Sequence, residues 1–307
     1  MHPMSETILT KYQVRKTGKQ KTAFIDFLRG QIPELQLEES GLLHSRNLIV
    51  GDVRTAKVIF GAHYDTCARL PFPNLIFPKN FLFSILYGVL TAVPFFLLMF
   101  LSLHLMQTAL HWPFLLSYWL SFAVLFLGVG IIFFAGPANR HTANDNTSGV
   151  IMLCELMQRL DAETRQQVAF VFFDNEENGL LGSSAFRKVH KKELAGKLLV
   201  NFDCVSDGDH LLLVQSKTTQ KRYGAMLEQS FCDAAGKTVH LEKSATTLYP
   251  SDQAGFPVSL AVAFLNRHRL LGLYMNRIHT SRDTIFDEGN IEYLCAGTQR
   301  LLAQLLR

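Results

Sequence analysis

The stretch AKVIFGAHYDT, residues 56–66, decides how this chain is read. Residues 58–62 form an unbroken apolar run, the pattern of a strand covered on both faces in a parallel sheet. The run closes on His63 and Asp65, two residues apart and so on one face of an extended chain. Three other stretches repeat the pattern: QQVAFVFFD (166–174), KLLVNFD (197–203) and VSLAVAFL (258–265). LHSRNLIVG (43–51) reads as a further strand. Between the strands, SGVIMLCELMQRL (148–160), LLGSSAFRKVHKK (180–192) and TTQKRYGAMLEQSFCDAAG (218–236) read as helices, and residues 289–307 as the closing helix. Residues 3–30 read as one amphipathic helix ending near Gly30 and Pro33. Strands alternating with helices predict an α/β fold, a mostly parallel or mixed sheet sandwiched by helices. Such sheets bind ligands beyond the carboxyl ends of their strands.

One segment does not belong to that pattern. From Asn80 to Asn139 the chain runs 60 residues without a Lys, Arg, Asp or Glu, so the 30 basic and 26 acidic residues all sit in the other 247. This concentration explains a mean hydropathy of +0.14 in a 307-residue chain that is 48% hydrophobic and 18% charged, a composition that excludes disorder. Residues 81–103 and 114–135 are each long enough to cross a bilayer as a helix, and Pro94 is a kink that membrane helices tolerate. The link between them carries Trp112, with Tyr118 and Trp119 close by, rings that favour a membrane interface. The expectation is a transmembrane helical hairpin over 80–136, inserted into one domain made of 1–79 and 137–307. Two buried core helices or an apolar dimer interface are the competing readings. A hairpin returns the chain to the side it left, and Lys79 and Arg140 flank it while the link is uncharged. The positive-inside rule then puts the domain on the cytoplasmic side.

Other bulk features exclude more than they assign. Residues 1–79 hold eleven basic and seven acidic residues, a bias suited to an anionic membrane surface. No compact basic patch with interleaved aromatics points to nucleic acid. Five cysteines, odd in number and without CxxC spacing, give no disulfide framework. The polar start, with Lys11, Arg15, Lys16, Lys19 and Lys21, does not read as a signal peptide.

Histidines and carboxylates gather at the strand ends: His63 and Asp65, Asp145 in HTANDNTSGV (141–150), Glu176 and Glu177 after VAFVFFD, Asp203, and His279 in RIHTSRDT (277–284). Each of these has a bland alternative as a cap, a surface turn or a salt-bridge partner. Their joint occurrence beside Gly, Asn and Ser turn residues outweighs it. Two histidines and three carboxylates suit a pair of zinc ions. His63 and Asp203 would hold one, Glu177 and His279 the other, and Asp145 would bridge them. Asp65 would fix the His63 tautomer. Glu176 would be the general base for amide hydrolysis. Cys67 and Cys204 lie nearby without a partner that would make either a nucleophile, and His104 and His111 lack carboxylate neighbours.

In that order GAHYDT, ANDNTSGV, EENGLLGS, NFD, SDQAGFP and IHTSRDT resemble the co-catalytic di-zinc aminopeptidases of the M28 family, over roughly 55–75 and 140–305. The resemblance implies the same five ligands, the same bridge and the same base. It also implies a role for Tyr249 in stabilising the tetrahedral intermediate. The departures are the hairpin, Gln253 where SDH is common, and Ile278 where an aromatic residue often precedes the last histidine. The function expected is a membrane-anchored zinc aminopeptidase acting on peptides or small amphiphilic amides with a free N-terminus. Alternatives are a carboxypeptidase or N-acyl amino acid amidohydrolase, a one-zinc glutaminyl-peptide cyclotransferase, or an inactive receptor, although all six ligand and base positions are filled. The hairpin leaves just after Asp65 and returns just before Asp145, so the mouth of the site is expected to face the bilayer. The oligomeric state is not readable.

Overall fold

The computed structural model describes residues 1–234 and 236–306. Its chain runs α1 (Pro3–Lys11), α2 (Gly18–Gln31), β1 (Gln36–Ser40), β2 (Ser45–Val50), β3 (Val58–His63), α3 (Phe81–Thr108), α4 (Phe114–Gly130), α5 (Gly149–Arg159), α6 (Ala162–Gln166) and β4 (Val168–Phe173). It continues with α7 (Leu181–Val189), β5 (Leu198–Phe202), β6 (His210–Gln215), α8 (Lys217–Ser230), β7 (Thr238–Lys243), β8 (Ser259–His268), β9 (Gly272–Tyr274) and α9 (Glu288–Leu305). The sheet order is β1-β2-β4-β3-β5-β8-β6-β7, with β9 pairing β8. The central strands β4, β3, β5 and β8 are mutually parallel, while β2 and β6 flank them antiparallel.

The apolar runs produce this layering through their two-residue period. Val58, Phe60 and Ala62 face a core that includes α1, α2, α5, α8 and α9; Ile59 faces the other side, with Phe186 of α7. A third cluster, with Leu212, Ala261, Tyr249 and Ile278, lies toward the β6 side and packs against Ile76. The register sets His63 opposite Phe173 and Gly61 opposite Asn201, so β3, β4 and β5 deliver their carboxyl ends to one edge.

Residues 3–30 form two helices rather than the single one expected. Thr17 stops the continuation: its side chain and that of Gln20 make a reciprocal capping box that starts α2 afresh. The break lets the fully buried Arg15 turn inward, where its guanidinium bonds the carbonyls of Tyr64 and Tyr12 and the hydroxyl of Thr147. β1, β6, β7 and β9 are strands that the sequence reading did not contain.

α3 and α4, with a further turn through Ala135, pack on each other and project from the domain, each long and apolar enough to cross a membrane. Only Met99 of α3 is buried, which removes the core-helix reading. The segment joining β3 to α3 is tied down at several points. Ala68 bridges Ala138, the Leu70 N–H donates to the His279 carbonyl (2.8 Å), Ile76 pairs with Met275, and the Tyr87 hydroxyl donates to the Pro73 carbonyl.

Candidate metal centre

Five segments converge at the carboxyl edge of the sheet. β3 supplies His63 at its last residue, and the turn before α5 supplies Asp145. The loop after β4 supplies Glu176 and Glu177, the residue after β5 is Asp203, and the loop after β9 brings His279. Positive backbone φ values of 55° at Asn175, 59° at Cys204 and 59° at His279 show that these turns hold strained conformations beside, or at, the converging side chains.

The Asp145 carboxylate stands between the two imidazoles. Its Oδ1 is 3.4 Å from His63 Nε2 and its Oδ2 is 2.9 Å from His279 Nε2. On the outer sides, Asp203 Oδ1 is 3.6 Å from His63 Nε2 and Glu177 Oε2 is 3.3 Å from His279 Nε2. Glu176, His63 and Asp203 form a further close triplet of ligand-type atoms. All of these line a cavity of about 320 Å³, open where His279 is a quarter exposed. Tyr249 lines it too, with its hydroxyl donated to the Asp203 carbonyl (3.1 Å).

Asp65 does something other than expected. Its backbone carbonyl lies 3.2 Å from His63 Nδ1, while its carboxylate is at 3.6 Å, outside normal hydrogen-bond range. The carboxylate instead accepts the N–H groups of Glu176 (3.0 Å) and Glu177 (3.2 Å). Asp283, which the sequence reading passed over, does the same for the next segment: its oxygens accept the N–H groups of Asn144 (2.8 Å) and Asp145 (3.0 Å). The one available signal was an acid four residues after His279. Asn146 completes the frame, donating to the Phe202 carbonyl and accepting from Gly149 and Cys204.

The electrostatics fit a site built for cations. No Lys or Arg side chain lines the cavity among the described residues. Burial pushes Glu177 up to about 8 and Asp283 up to about 8, the latter also raised by Asp145. Burial likewise raises Glu176 well above the carboxylate range. Burial opposes charge on His279, yet Glu177 and Asp145 hold its imidazolium up to about 9. Burial opposes charge on His63 as well, and Glu176 and Asp145 still raise it. The surrounding carboxylates thus favour the charged form of both histidines against the cost of burial. The buried Glu177 Oε1 has no hydrogen-bond partner, which leaves this acid a free lone pair beside the oxygen that meets His279. Two imidazoles and three carboxylates at these spacings are a donor set for zinc.

Comparison with known proteins places the family and the fold. A family model described as peptidase family M28 matches residues 128–292. Among solved structures, the LapA aminopeptidase of Legionella pneumophila superposes with a TM-score of 0.57 at 12% identity, over 98% of this chain and 68% of that one. LapB from the same organism gives 0.55 at 12% identity, over 98% and 70%. At such identities the likeness is one of fold. No curated protein sequence matches.

Proposed function

The chain belongs to peptidase family M28 and is a metallopeptidase, and from that premise we propose that it is a membrane-anchored aminopeptidase using two zinc ions. The observation that carries the reading is the Asp145 carboxylate shared between His63 and His279, with Asp203 and Glu177 outside them. His63 and Asp203 would hold one ion, Glu177 and His279 the other, with Asp145 common to both. Zinc at such a site supplies Lewis acidity toward the scissile carbonyl and makes water acidic enough to attack near neutral pH.

The chain's own residues do the rest. Glu176 accepts the proton of the attacking water on its carboxylate and returns it to the leaving amine. Asp65 holds the Glu176–Glu177 backbone, so the base and its neighbouring ligand are set by one carboxylate. Tyr249, on the cavity wall, would donate to the developing oxyanion by exchanging its bond to the Asp203 carbonyl. The carboxylates of the cavity also offer ion pairing to a free α-amine.

The α3–α4 hairpin would be the anchor, with the catalytic domain on the cytoplasmic side. Cys232 is the one exposed thiol among the five cysteines. In sealed vesicles an impermeant maleimide should label it only from the cytoplasmic face, and labelling only from the opposite face overturns the topology.

Peptides with free, blocked and N-terminal Gln termini, incubated with full-length zinc-loaded protein, test the activity. Loss of one residue from free-amine peptides is expected. Glu176→Gln should lower kcat by roughly 10²–10⁴-fold while retaining bound zinc. Ammonia release from Gln peptides alone would replace the aminopeptidase with a cyclase.

A further inference from the structure

Beside the metal cavity lies a second, larger hollow of about 600 Å³, set between the segment leading into the hairpin and α3. Phe72, Leu75, Leu90, Pro94, Phe95 and Leu98 line it. Leu75 lines the metal cavity as well, so one side chain forms the sill between the two spaces. The hollow offers almost no polar recognition. Of its hydroxyls, Tyr87 is donated to the Pro73 carbonyl and Thr91 to the carbonyls of Tyr87 and Gly88. An occupant with hydrogen-bonding groups would leave them unpaired here, so the chemistry that fits is an aliphatic chain.

Its level along the hairpin points the same way. Gly128 lies against Phe95 and Leu98, and Ser121 reaches Met106, so α4's end at Ala135 is level with about Thr91. The end of α4 meets the domain at Lys16, so the first ten residues of α3 run roughly 15 Å past that point along the domain's flank, beside residues 71–77. Outward from these residues Phe81, Leu82, Leu86 and Leu90 are all more than half exposed. With the hairpin in a bilayer whose hydrocarbon core is about 30 Å thick, the hollow lies at the depth of the acyl chains nearest the domain.

We infer that this hollow receives the aliphatic chain of an amphiphilic substrate drawn from the bilayer while the substrate's amide lies in the metal cavity across Leu75. The inference rests on the aminopeptidase reading and adds a substrate class to it: an amino acid with a free amine, joined by an amide bond to a group bearing a long alkyl chain. Hydrolysis breaks the acyl C–N bond; water's oxygen goes to the new carboxylate and both its protons to the leaving amine, which departs as an alkylammonium.

The test uses full-length zinc-loaded protein in nanodiscs with leucine n-alkylamides of four, eight and twelve carbons. The kcat/KM ratio of the twelve- to the four-carbon amide should be at least tenfold. Thr91→Trp, or Leu98→Trp if the first folds poorly, fills the hollow and should cut that ratio at least fivefold. Simple partitioning of the longer amide into the disc would be the same in both proteins, so an unchanged ratio overturns the inference. In parallel, a diazirine-bearing leucine dodecylamide should crosslink to residues 71–75 and 90–98. Crosslinks found only elsewhere, or competed by phospholipid but not by unlabelled dodecylamide, also overturn it. If no alkylamide releases leucine, the four-carbon one included, the aminopeptidase reading fails, and the crosslinking alone decides what the hollow holds.

Discussion

Asp65 and Asp283 each bind two consecutive backbone N–H groups, and each thereby fixes a segment carrying converging acids: Glu176 and Glu177 for the first, Asp145 for the second. A carboxylate in this position sets where another carboxylate points without touching any ion. Asp283→Ala leaves two buried N–H groups unpaired and frees the turn that carries Asp145. Zinc affinity, measured against a competing chelator, should fall about 10–100-fold, with Asp283→Asn between it and the native protein. Native affinity in the alanine variant would remove Asp283 from the frame. The residues that converge were legible in sequence because histidines and acids rarely recur at the ends of successive apolar strands. Asp283, Arg15 and Asn146 were not, since a side chain that bonds backbone has no partner residue type and no fixed spacing to give it away.

At the scale of elements, α5 begins where β5 ends, and only glycine permits the approach. A Cβ on Gly149 would lie 2.4 Å from both the Phe202 carbonyl and Asn146 Oδ1. Gly149→Ala should therefore destabilise the protein by about 1–3 kcal/mol, read from denaturant unfolding, because helix and strand must part. An effect near zero would mean that α5 shifts freely. The buried strands β3, β4, β5 and β8 announced themselves by long apolar runs. β1, with sequence QLEES, is a polar edge strand whose pairing with β2 no propensity predicts, and HLLLVQ in β6 is too short an apolar run to separate strand from helix. The single helix expected over 3–30 failed for a local reason, a capping box that competes with continuation at Thr17.

For the molecule as a whole, the clustered acids make metal-free stability depend on pH. His279, held up to about 9, contributes stability below its unfolded value near 6.5, and that contribution is lost as pH rises toward 9. Glu177, pushed up to about 8, keeps its proton in the folded state after the unfolded chain has lost it, so it too costs stability as pH rises through this window. Both signs agree. The Tm of zinc-free protein should drop between pH 6.5 and 9. Zinc should reverse the trend, because binding favours the deprotonated ligands. A flat Tm profile would mean that these groups titrate normally. The central parallel strands and the helices that cover them followed from the sequence; what it lacked were four strands, the local break at Thr17 and contacts formed across distant segments.

The hairpin also divides the centre in time. His63 lies before it in the chain, whereas Asp145, Glu177, Asp203 and His279 lie after it. At about 5–20 residues per second, His279 leaves the ribosome roughly 10 to 40 seconds after His63. For the last two thirds or so of that interval, once Ala135 has emerged, the nascent chain carries its apolar helices but holds only part of its ligand set. With the hairpin as the proposed anchor, delivery to the bilayer would precede the birth of a complete centre, and a polypeptide released early would reach that address without a peptidase.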